Sequence, residues 1–182
     1  MNAPRIGALV AGFAYIALGI VMLTGHDVPD QRWGARGDLI NVLGLIGFGF
    51  NVLGAERLRT PLALRRLGLV GLRAAQTGLA AMAVESVASQ LHGGNTLGPV
   101  FFLGLLLTLV GFLVVGIDGL RRPGTRWVAL LPFLGLLVGI AGGEHGGFVV
   151  LGGLWAVLAV AAVGQPTIWS LPSSAAAPSS AR

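Results

Sequence analysis

The chain has 182 residues, 54% of them apolar and only 10% charged, with a formal net charge of +5 that comes from 12 arginines and no lysine. Soluble domains carry about a quarter charged residues, so a mean hydropathy of +0.83 excludes a water-soluble globule and makes lipid the solvent. The absence of cysteine excludes disulfides, iron–sulfur clusters and thiolate zinc sites. Arginines confined to loops between apolar runs set topology and need no phosphate partner, so nucleic acid is not expected as a ligand.

A helix crosses the hydrocarbon core with roughly 20 apolar residues, fewer where flanking side chains adapt. The runs that qualify are 6–23, 39–55, 67–91, 97–117, 127–142 and 148–163. The first follows Arg5, as in a signal peptide, but reaches Thr24-Gly25-His26 without a small-x-small cleavage site and is expected to stay as an uncleaved helix. The fifth and sixth are short and separated only by Gly143-Glu144-His145-Gly146. As one helix, 127–163 would be about 55 Å long, so a hairpin is expected, with a re-entrant pair as the alternative. The segment 1–168 then forms an all-α, polytopic membrane bundle of six transmembrane helices built as three hairpins. The Ser/Ala/Pro-rich segment 169–182 has nothing to bury and is expected as a disordered cytoplasmic tail.

In this arrangement Arg5, Arg57, Arg59, Arg65, Arg66, Arg73, Arg121, Arg122, Arg126 and Arg182 fall on one side, and Arg32 and Arg36 on the other. The bias puts both termini in the cytoplasm of a multi-pass protein of the cytoplasmic membrane. Composition and topology resemble small arginine- and glycine-rich six-helix membrane proteins of high-GC bacteria, a resemblance carried by no motif. A shift of 53 positions superposes Arg73 on Arg126, Ala88 on Ala141 and His92-Gly93-Gly94 on His145-Gly146-Gly147, the pattern of an internal hairpin duplication.

Helices associate in lipid through small residues that let backbones approach. Gly135, Gly139, Gly143 and Gly147 recur every four positions and give the fifth helix a packing stripe, for use inside the bundle or against a second copy or larger membrane partner. Among polar residues, Glu85, Ser89 and His92 fall at i, i+4 and i+7 of the third helix and form a stripe from the hydrocarbon to the exterior. Such a stripe suits proton relay or cation conduction, or else Glu85 is structural and bonded to Asn41 or another bundle partner. Arg73 and Asp118 are expected to pair near the cytoplasmic face, and Asn51 and Gln76 to hydrogen-bond between helices. His26, His92, His145 and Glu144 cluster at external hairpin tips with Asp27, Asp30 and Asp38, where imidazole and carboxylate offer outer-face metal or haem ligands or simply meet water.

No phosphate-binding loop, nucleophile elbow or dinucleotide fingerprint is present; Gly47-Phe48-Gly49 lacks the third glycine. No catalytic residue and no cofactor is expected. The first expectation is an accessory or interaction subunit, self-associating through the fifth-helix glycines. The alternatives are a small proton- or cation-coupled carrier or channel using Glu85 and His92, and metal or haem binding by His26, His92 and His145.

Overall fold

The computed structural model of the protein describes residues 2–24, 35–92, 98–121 and 126–161, and every regular element within them is helical. In chain order these are α1 (Ala3–Leu23), α2 (Ala35–Ala55), α3 (Arg66–His92), α4 (Gly98–Gly119), α5 (Arg126–Ala129), α6 (Leu131–Ala141) and α7 (Gly147–Val160), with 3₁₀ turns at Glu56–Leu58 and Gly143–His145. The first four helices are long and apolar enough to cross a membrane. The shorter α6 and α7 rise about 16 Å and 21 Å. The tail 169–182, His26, Asp27, Asp30 and Arg32, Arg122 and Arg182 lie outside the described residues.

The apolar run beginning at Trp127 is broken at Leu130 because Pro132 sits in the first turn of α6. Its ring carries no N–H to continue the ladder to Val128, and a proline is tolerated only where that donor would be unused. The connection from α6 to α7 is tight. Gly147 N donates to Gly142 O at 2.6 Å, and Gly146, at φ 87°, supplies the left-handed backbone that reverses the chain.

The helices close into a ring in which α1 packs on α2 and α7, α2 on α3, α3 on α4, and α4 on α6, which returns to α7. Neighbours run antiparallel, and glycine sets most of the contacts. Gly7 meets Gly54 and Leu53 across α1 and α2, Gly12 and Gly152 meet across α1 and α7, and Gly71 and Gly78 meet Gly111 and Gly104 across α3 and α4. Under the 53-residue shift, Gly78 and Gly104 correspond to Leu131 and Val157, while Gly71 and Gly111 correspond to Gly124 and Gly164, which lie outside the described residues.

The exterior is apolar on every long helix: Phe13, Leu53, Val70, Val84, Leu103 and Val110 are all exposed. A continuous apolar surface of this kind matches lipid and not water. The two ends of the ring differ. Arg5, Arg57, Arg59, Arg65, Arg66, Arg73, Arg121 and Arg126 gather at the end where α1 begins and α2 ends, and Arg36, Asp38, His92, Glu144 and His145 at the other. At the arginine-rich end the segment after α2 folds inward. Leu58 and Leu62, each 2% exposed, plug the bundle against Val128 and Leu158 and leave a void of only about 10 Å³.

Arginines also tie the helix ends. Arg57 Nε donates to Leu158 O at 3.3 Å and an Arg57 terminal N–H to Ala161 O at 3.1 Å, which satisfies carbonyls at the end of α7. At the opposite end, Arg36 donates to Val21 O and Met22 O at the end of α1, at 3.0 Å and 3.3 Å.

Candidate functional site

At the arginine-poor end the ring is hollow. Two turns of α3 carry Glu85, Ser86 and Ser89, and they face Ile40, Asn41 and Gly44 of α2 across a cavity of about 270 Å³. Gly44 makes the space, since its missing side chain would point at Ser86 Oγ, 3.4 Å away. Glu85 is 6% exposed and Ser89 3%. The Ser89 hydroxyl donates to Glu85 Oε1 at 2.6 Å, a bond that the i, i+4 spacing provides within one helix. Ser86 instead returns its hydroxyl to Met82 O at 3.0 Å, which leaves Glu85 and Asn41 as the strongest polar groups on this wall.

A second cavity of about 390 Å³ adjoins the first between α4, α6 and the Gly143–His145 turn, with Glu144 and His145 on its rim and Met82, Leu105 and Leu136 deeper. Met22, Phe48, Phe101 and Phe148 border both, so the two cavities adjoin across these residues as lobes of one vestibule. The partition between the lobes is a ring-on-ring cluster. Phe48 stands edge-on to Phe101 at 5.9 Å and to Tyr15 at 5.7 Å, and Tyr15 stacks on Phe148 at 6.3 Å. Tyr15 itself is held against Gly47, where an added Cβ would fall 2.6 Å from its ring.

Below this floor the buried polar residues include two linked sets. Asn51 Nδ2 donates to Tyr15 Oη at 3.4 Å, and Asn51 Oδ1 is buried without a hydrogen-bond partner. Nearer the arginine-rich end, Gln76 donates to Val52 O at 2.9 Å and to Glu56 Oε1 at 3.3 Å, and Arg73 contacts Glu56 at 2.7 Å and Gln76 at 2.8 Å. The expected Arg73–Asp118 pair therefore does not form. Asp118 instead accepts the Arg65 backbone N–H at 2.7 Å, capping α3 from a neighbouring helix, and contacts Arg121 at 3.4 Å. Arg73 reaches Glu56 in the 3₁₀ turn after α2, whereas Asp118 sits against Arg65 and Gly68 at the start of α3, more than one turn away.

Of the residues singled out in the sequence, Glu85, Ser89 and Asn41 line one cavity. His92 stands apart from them. It is exposed, and its Nδ1 lies 2.9 Å from Ala88 O of its own helix. The departure is geometric: seven residues turn the helix by about 700°, some 20° short of two full turns, and Glu85 is covered by the bundle where His92 has passed its rim. His145 and Glu144 border the other lobe, and among the described residues no three histidine or acidic side chains come together as metal ligands. The glycine stripe is buried inside the chain. Gly135 faces Leu154 and Leu151 of α7, Gly139 faces Leu151, and Gly147 lies against Gly142. The aromatic partition was not singled out in the sequence; its one local signal is Phe48 flanked by two glycines, which leaves the ring the largest group on that turn.

No protein-family model, curated protein or solved structure matches the chain. Fold and surface define a membrane-embedded helical bundle, and its distinguishing feature is the carboxylate-bearing vestibule at one end.

Proposed function

We propose that the protein is a small carrier that admits a cation, or a solute coupled to protons, from the arginine-poor face to Glu85. In this reading the chain crosses the cytoplasmic membrane six times, with α5–α6 and α7 as the third hairpin, and the arginine-rich, Leu58/Leu62-plugged end faces the cytoplasm. The observation that carries it is the cavity of about 270 Å³ onto which Asn41, Glu85 and Ser89 converge. A buried carboxylate in hydrocarbon is costly, and Glu85, with one hydrogen bond from Ser89, lines a cavity instead of being packed against a cationic partner among the described residues. His92, outside the cavity, has no part in the site.

An accessory subunit docking through the fifth-helix glycines has less support, because Gly135 and Gly139 lie against α7 of the same chain. The carrier reading is tested in proteoliposomes. A pH-dependent cation or proton flux in the native chain should be lost in Glu85→Gln and kept in His92→Ala. Equal flux in Glu85→Gln and the native chain overturns it.

A further inference from the structure

We infer that the vestibule takes an organic cation with an apolar, ring-sized body, its charged nitrogen at Glu85 and its body against the Phe48–Phe101–Phe148 partition; this rests on the carrier reading and names its substrate class. Size and lining lead to it. A lobe of about 270 Å³ beside one of about 390 Å³ has room for a molecule of many heavy atoms, whereas a dehydrated inorganic cation fills about the space of a single water. Inorganic cations are held by several oxygens in close array. Here the described lining of the Glu85 lobe offers one carboxylate, one amide and two hydroxyls, and the remaining groups are hydrocarbon, thioether and aromatic. Both hydroxyl protons are committed, one to Met82 O and the other to Glu85 Oε1, so neither donates into the cavity.

Aromatic faces beside a single carboxylate are the chemistry that recognises alkylated ammonium groups, the rings attracting the charge and the carbon shell filling the apolar space. Phe48, Phe101, Phe148 and Met22 border both lobes, so a ligand in either meets the same aromatic rings, and the flexible thioether of Met22 accommodates differing outlines. Glu85 is the only acidic side chain among the described residues lining its lobe, and Glu144 stands at the rim of the other, so a single cationic nitrogen is matched at the inner end.

The test is equilibrium binding of benzyltrimethylammonium to the full chain in detergent, with its uncharged carbon isostere neopentylbenzene and sodium or potassium chloride as competitors, beside flux measurements in proteoliposomes. Benzyltrimethylammonium should bind saturably, at least tenfold more tightly than the isostere. Glu85→Gln should weaken it about tenfold or more, Phe101→Leu several-fold, and His92→Ala not at all. Equal binding of cation and isostere, or unchanged cation affinity in a folded Glu85→Gln protein, overturns the inference. Displacement by sodium or potassium at lower concentration than by the organic cation overturns it too, and leaves the carrier reading intact. Saturable, Glu85-dependent binding without transport in vesicles supports the ligand class and overturns the carrier reading. Should Glu85→Gln not fold, the isostere and salt competitions on the native chain decide alone.

Discussion

The α3–α4 seam makes a sharp prediction at Gly78. A Cβ added there would meet Gly104 O and Thr108 Oγ1 inside contact distance and Thr108 N at 2.7 Å, so the obstacle is largely backbone and cannot rotate away. Relief requires α4 to move outward by about 1 Å. A gap of that size forfeits a quarter to a half of each dispersion contact along the seam. The same movement lengthens the cross-helix hydrogen bond from the Thr108 hydroxyl to Ala75 O, already 3.4 Å, and leaves its bond to Gly104 O of its own helix at 2.8 Å in place. Overpacking of this kind costs about 1–3 kcal/mol, and the seam is long enough to put Gly78→Ala at the upper end. At about 2–4 °C per kcal/mol for a chain of this size, the thermal midpoint in detergent should fall by roughly 6–12 °C. Gly153→Ala is the matched control. Nothing lies within 4 Å of its added Cβ, and alanine's helix propensity makes that variant neutral or more stable by up to about 1 kcal/mol. Midpoints from circular dichroism at 222 nm check both, and a Gly78→Ala protein as stable as Gly153→Ala refutes the seam argument.

Three further outcomes follow from other parts of the bundle. Ala63 occupies a left-handed conformation at φ 43° on an exposed turn, so Ala63→Gly should stabilise the protein by about 1 kcal/mol in the same melting experiment, and a loss of stability would contradict the strain. Arg57→Gln removes the guanidinium from Leu158 O and Ala161 O and should cost about 1–2 kcal/mol, with faster amide exchange confined to the last turn of α7. Since the chain has no native cysteine, single cysteines at Thr60 and Glu144 report sidedness directly. An impermeant maleimide added to intact cells should label the Glu144→Cys protein and spare Thr60→Cys, and the opposite pattern would reverse the proposed orientation.

Much of the architecture was legible from local pattern. The apolar runs announce an all-helical membrane protein, because a backbone in lipid must bond within its own segment and only a helix does so locally. The Gly143–Gly146 stretch marked the turn between the last two apolar runs, whereas 127–142 was expected as one helix and its break at Leu130, ahead of Pro132, is not visible in hydropathy. The partners of the charges were less legible. Periodicity put Arg73 and Asp118 at similar depth, yet pairing depends on which seam each helix face occupies, and Arg73 turned to Glu56 while Asp118 turned to the start of α3. The same holds for His92, which shares a nominal stripe with Glu85 but lies beyond the rim of the cavity.

The sequence by itself determined that this chain lives in a bilayer, where its helices lie and that its charges divide unequally between two ends, since each of these follows from residue type and order along a segment. Only the tertiary structure decided which small residues touch, that the α6 glycines are spent on α7, and that Asn41, Glu85 and Ser89 border one hollow while Phe48, Phe101 and Phe148 border it and its neighbour. The physical reason is that a helix fixes which residues share its own face, whereas a cavity exists only between faces. Its lining is set by the order and rotation of six packed segments, and neither is written in any one of them.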